Sequence, residues 1–243
     1  MKKIIPAIVF GLAIVISSLV LGNAFIHRNS SEGHISVTGL GNADFTSDLI
    51  VWEGSFSRES LDLKQAYKQL ESDKMTITTY LIEKGITEEE LVFKAVTTRK
   101  NTKPRYTEEG KYAGEEFIGY QLSQALQIDS KDVNTTEKIS REVTELLNKG
   151  IQFYSQPPRY YYTKLADLKI EMISKATQDA YARAQKIADN SGAKLGKLVK
   201  ANMGVFQITG QNSNEDYSWG GTYNTTSKNK TASITMKLDY QVD

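Results

Sequence analysis

Apolar side chains recur at every fourth position near the end of the chain: Leu168, Met172, Ala176, Ala180, Ala184 and Ala188, with Ile173, Ala182 and Ile187 beside the row. A helix of 3.6 residues per turn gathers such a row into a slightly slanted stripe, so the pattern predicts a helix over 164–191. Four of the six are alanine, which lets a sheet or a second helix approach closely. Gly192, after Asn190 and Ser191, has the place of a C-terminal stop, where a residue without Cβ can turn left-handed. Arg183 and Lys186 fall on the opposite face and read as solvated cations.

At the other end, Met1-Lys2-Lys3 precede an apolar run from Ile4 to Leu21. Secretory apolar segments run roughly 7–15 residues; this one is nearer the ~20 that cross a bilayer. Gly22-Asn23-Ala24 also offers small residues at the spacing of a cleavage site. Residues 1–28 are therefore expected to be a signal anchor or a signal peptide, and length favours an anchor in the inner membrane through residues 4–22. Either way the remainder is exported, to the periplasm or cell envelope. Residues 29–33 form a polar linker, and 34–243 the exported domain.

Within that domain, residues 34–40 alternate like a strand that Gly39-Leu40-Gly41 breaks, and Phe45 to Phe56 read as a long, irregular strand. Ser60 is the expected N-cap of a helix carrying Asp62 in its first turn and Leu63, Ala66, Tyr67, Leu70, Ile77 and Leu81 inward, closed by Gly85. A strand at 91–98, a polar connection at 100–111 and a strand at 117–128 follow. Asn134-Thr135-Thr136-Glu137 matches a capping box ahead of a helix ending at Gly150, and 151–163 is a strand interrupted by Pro157-Pro158. From 45 to 162 the order is strand, helix, strand, strand, helix, strand, that of a split βαβ, ferredoxin-like unit. The long helix and strands near 196–209 and 231–242 complete an α+β domain. Residues 210–230, rich in Asn, Ser, Gly and Thr, are expected to be a mobile loop.

Composition narrows the chemistry. The 243 residues carry a net charge of +1, but Lys2, Lys3 and Arg28 lie in the N-terminal segment, leaving 27 basic against 29 acidic side chains beyond it. That balance gives no footprint for nucleic acid. Absence of cysteine excludes disulfides and thiol catalysis, and the two histidines, His27 and His34, exclude a histidine site further along. Glu88-Glu89-Glu90 and Glu115-Glu116 cannot converge on a cation, because neighbours in a strand or helix point apart. The Gly39-Leu40-Gly41 pair has no following helix and is no phosphate loop. Serine lacks a nucleophile-elbow setting. No catalytic residue, metal or cofactor is therefore predicted. Four asparagines, at 29, 134, 224 and 229, fit the three-residue glycosylation pattern, a weak signal. Tyr160, Tyr161 and Tyr162 beside Arg159, and Trp219 with Tyr217 and Tyr223 in the Gly-rich stretch, are the candidate partner contacts.

Several motifs together resemble the SIMPL-domain family, whose bacterial members include YggE-like and periplasmic immunogenic proteins. They are Ile35-Ser36-Val37-Thr38-Gly39 with Ala43-Asp44, Gly119-Tyr120, the final strand 234–242, and above all Ala180, Arg183, Ala184, Ile187, Ala188, Gly192, Leu195, Gly196, Lys197 and Leu198 at their spacings. The resemblance implies an exported α+β domain that forms homo-oligomers, a role tied in bacterial members to oxidative-stress defence, and no recognised catalytic residues. The motif positions read as structural: Ala180, Ala184 and Ala188 pack, Gly192 and Gly196 turn. A non-enzymatic, oligomer-forming envelope protein is the leading expectation; a module capturing a small ligand or peptide, through 210–230 and Tyr160–Tyr162, is the second.

Overall fold

The structure, a computed structural model, describes residues 4–28 and 33–242, with side chains from Val9 to Asn23 in the first stretch. The expected linker, apart from Gly33, lies outside the described residues, as do the side chains of Ala24 and His27. The N-terminal run is a helix, α1 (Ile4–Arg28), whose apolar side chains, Val9, Phe10 and Leu19 among them, are exposed. Among the described residues no helix is long and apolar enough to cross a membrane. The anchor expected at 4–22 therefore gains no support here.

The rest is a mixture of helices and antiparallel sheets in two units: one made of the segments through Leu40, Lys175–Gly204 and Thr235 onward, the other of Gly41–Ser174 and Val205–Ile234. Three elements contribute to both, namely β1 (Gly33–Thr46), α4 (Leu165–Ser191) and β10 (Asn229–Val242).

In the first unit, β10 is the central strand between β1 and β8 (Leu195–Met203), an antiparallel neighbour through pairs such as Met236 with Met203 and Tyr240 with Leu198. Ala176, Ala180, Ala184 and Ala188 of α4 are fully buried, together with Ile35, Val37, Leu238 and Tyr240. The stripe predicted from spacing is thus the face that meets the sheet. Gly39 does not break β1. A Cβ there would stand 2.1 Å from the Ala176 carbonyl oxygen and 2.4 Å from the Ala180 nitrogen, so this glycine and the alanines together set a close helix–strand approach.

The second unit holds a sheet in the order β6/β7, β2, β5, β3/β4: β2 (Leu49–Ser60), β3 (Leu91–Phe93), β4 (Thr97–Tyr106), β5 (Tyr112–Ser130), β6 (Phe153–Ser155) and β7 (Arg159–Tyr161). Two helices, α2 (Leu63–Glu83) and α3 (Val133–Glu142), pack on it. The predicted alternation of strands and helices is recovered with two differences: Phe45 and Thr46 end β1 while the next strand, β2, starts at Leu49, and the strand expected at 91–98 divides into β3 and β4. β5 lies antiparallel between β2 and β3/β4. The core gathers Trp52, Phe56, Leu70, Ile77, Leu126 and Ile139. At Pro157-Pro158 one edge strand divides into β6 and β7, both paired with β2.

Four local expectations are corrected. Asp62, not Ser60, caps α2, accepting from Gln65 N–H, while the Ser60 hydroxyl accepts from Asp62 N–H. Asp132, two residues before the expected capping box, caps α3 by accepting from Thr135 N–H. The polar stretch at 100–111 is largely strand: β4 and β5 form a long hairpin turning at 107–111. Residues 210–230 are tied in place. The short strand β9 (Gln207–Gly210) pairs with β10, Gln207 accepts from Ser218 and Thr222 N–H, and Asn224 binds Glu215 and Ser227 N–H.

Candidate functional site

Three places combine exposure or burial with usable chemistry. In the first unit it is β8, which among the described residues pairs only with β10. Its Leu198, Val199 and Met203 are 48%, 55% and 61% exposed, alongside exposed Lys197 and Lys200. An edge with free backbone groups and apolar side chains is a template for another strand. Gly196, expected to turn the chain, instead lies within β8 without a left-handed φ, and a Cβ there would be a tight neighbour of the Gln241 carbonyl oxygen at 3.0 Å. Leu195, the first residue of the strand, is half-buried.

The second is a buried cation. Lys230 is 1% exposed, and its Nζ donates to Ser47 Oγ at 3.0 Å, to the Tyr160 carbonyl oxygen at 3.1 Å and to the Ser227 carbonyl oxygen. Burial pushes its pKa down to about 8, against the pull of Glu215. An amine that sheds its proton near neutrality is chemically able to attack a carbonyl, but three protein acceptors and near-complete burial enclose this one. It ties the turn after β1, strand β7 and the 211–228 segment together.

The third is a groove of about 510 Å³ in the second unit, lined by Leu63, Lys64, Tyr67 and Lys68 of α2, by Val96 and Thr98 before and within β4, and by Leu122 of β5. It exists because α2 packs over β2 and β5 while β4 extends the sheet beyond the helix. Leu63 and Tyr67, expected inward, are 43% and 49% exposed. A largely apolar cavity of several hundred Å³ with a few polar groups has the make-up of a ligand site.

The predicted contact residues separate. Tyr160 is buried against Ile50 and Val133, with its hydroxyl donating to Glu137 at 3.2 Å. Burial, with the Glu137 charge, pushes its pKa up to about 12, and its ring is not on the surface. Tyr161 is half-buried, and the Tyr162 ring packs against Phe45 in a tilted arrangement, centroids 4.8 Å apart. Trp219 is wholly exposed, and Tyr217 and Tyr223 beside it in sequence are exposed as well, so the aromatic rings on the surface are those of this stretch and not Tyr160. Arg183 is not merely solvated. It pairs with Asp179 at 3.0 Å, and Asp179 Oδ2 accepts from the Leu40 N–H at 2.8 Å, pinning α4 to β1. That backbone bond, then Arg183, holds the Asp179 carboxyl below the usual range.

Against known families, the one described as SIMPL, Protein of unknown function (DUF541), matches residues 35–241. The chain belongs to the SIMPL family. No curated protein matches it. The SIMPL match runs from Ile35 in β1 to Gln241 in β10 and so takes in both units. Its most specific motif here is a packing device: Ala180, Ala184 and Ala188 have no exposed surface, Gly192 ends α4 at φ +75°, and Ala193 N–H closes the turn on the Ala188 carbonyl. Sequence reading missed Lys230 and the groove. The only hint of the first was a lysine within an alternating strand at a position of inward parity with Ala232 and Ile234. For the second it was an i, i+4 lysine pair beside an apolar pair on α2.

Proposed function

We propose that this SIMPL-family protein is an exported, non-enzymatic cell-envelope protein that assembles with copies of itself through the open edge of β8. The observation that carries the reading is the exposure of Leu198, Val199 and Met203 on a strand that, among the described residues, is hydrogen-bonded to β10 alone. Two such edges meeting antiparallel about a two-fold axis extend the sheet across the contact and remove apolar surface from water. Export rests on Lys2 and Lys3 ahead of the apolar residues of α1, which direct the chain after α1 across a membrane.

Light scattering on the full chain in a neutral detergent, across a wide dilution range, tests the assembly. A dilution-resistant oligomer is expected, and Leu198→Glu with Met203→Glu should reduce it to monomer while far-UV circular dichroism stays unchanged. A wild-type monomer at every concentration, or a variant that assembles normally, sinks the reading. N-terminal sequencing of the mature protein tests export. A start near residue 25, or an intact Met1 in the membrane fraction, supports it; an intact Met1 in the cytosol overturns it.

A further inference from the structure

We propose that the groove between α2 and β4 binds a long-chain carboxylate, its hydrocarbon tail lying on Leu63, Tyr67, Val96 and Leu122 and its head group held by Lys64 and Lys68. The cavity has the right composition for such an amphiphile. Four of its seven lining residues present apolar or aromatic surface, and its only charged ones are the two lysines. Thr98 pairs with Leu122 and Lys100 with Tyr120, so strand alternation puts Lys100 on the same face as Thr98 and adds a third cation at the groove's end. None of the three lysines makes an ion pair among the described residues.

Lys64 and Lys68 are moreover i, i+4 neighbours in the first turns of α2, whose own first turn holds no acid; the nearest carboxylate in sequence, that of the N-cap Asp62, has its Oδ1 taken by the Gln65 N–H. Like charges at that spacing repel, and at a helix N-terminus cations are unfavourable. A carboxylate between them relieves both effects. The tail supplies the rest, since each methylene withdrawn from water favours binding. A second copy of this chain is a poor occupant. The strand bordering the groove carries Arg99, Lys100, Lys103 and Arg105 and no acid, and a matching strand would set like charges opposite one another.

The full chain is titrated calorimetrically with decanoate below its micellar concentration, with 1-decanol as the same tail without charge and butyrate as the head without tail. Decanoate is expected to bind one per chain, about tenfold tighter than 1-decanol, with butyrate not binding. Lys64→Gln with Lys68→Gln removes both cations that would pair with the head group in solvent, and should weaken decanoate about tenfold and leave 1-decanol unchanged. Leu63→Asp places an acid in the lining at an exposed position and should abolish decanoate binding with the melting temperature retained. Equal affinity for decanoate and 1-decanol overturns the anionic half of the proposal. Decanoate binding that survives Leu63→Asp places the ligand elsewhere and overturns it altogether. So does a folded chain that ignores decanoate yet binds an acidic amphipathic peptide, or one that binds only vesicles containing phosphatidylglycerol.

Discussion

Lys230 is the residue at which burial and charge conflict most. Its ammonium has three acceptors and almost no water, so the charged form is held in place while desolvation opposes it. Its pKa falls to about 8 in the folded chain from an ordinary value of 10.5. Below pH 8 both folded and unfolded chains carry the proton, so this group gives stability no pH dependence there. Between about 8 and 10.5 the unfolded chain binds more proton, so Lys230's contribution to stability rises with pH and is lost again as pH falls through 8. Tyr160, raised to about 12, acts in the opposite sense and only above pH 10. Chemical denaturation of wild type and Lys230→Met from pH 7 to 10 should therefore show a rise in the first that is missing in the second. At pH 7 the variant should also lose roughly 1–3 kcal/mol, because Ser47 and two carbonyls are left without their donor. Parallel pH profiles contradict this account.

Helices and strands were legible where one face is apolar and covered. The α4 stripe, the helices and strands of the second unit other than β4, and the alternation of β10 all follow from that pattern. Legibility failed wherever polar groups organise the chain. β4 has both faces exposed, so it shows no alternation to read. Asp and Ser are interchangeable as N-caps, so composition alone does not distinguish Ser60 from Asp62, the cap that forms. The 211–228 segment is ordered by Gln207, Glu215 and Asn224, contacts no hydrophobic pattern reports. Periodicity says that Leu63 and Tyr67 are apolar on one helix face; it does not say that the sheet beneath them goes uncovered. Gly39 has two readings in sequence, because glycine serves both turns and close approaches; in β1 it serves the second. Gly39→Ala separates the two: the intruding Cβ meets backbone, not a flexible side chain, so a loss at or above the usual overpacking range, about 3 kcal/mol, is expected in urea denaturation. A loss below about 1 kcal/mol contradicts a close approach of α4 to β1.

Across the molecule, neither unit is a continuous piece of chain. The second half of β10 is the middle strand of the first unit's sheet, so removing residues 235–242 separates β1 from β8. Hydrogen exchange should then show lost protection in β8 and in α4 after Lys175, with the β2–β5 ladder still protected. Retained protection in β8 overturns β10's central place. β1 and its partner β10 stand on either side of every other strand in the domain. A ribosome or a translocation pore therefore releases β1 long before the strand that completes it, and for that whole interval Ile35 and Val37 have no finished sheet to enter. Closure of such distant ends is slow, because the chain between them must be ordered first. The domain's final folding step belongs to a fully delivered chain, and until then the first strand is a client for whatever holds unfolded segments in solution.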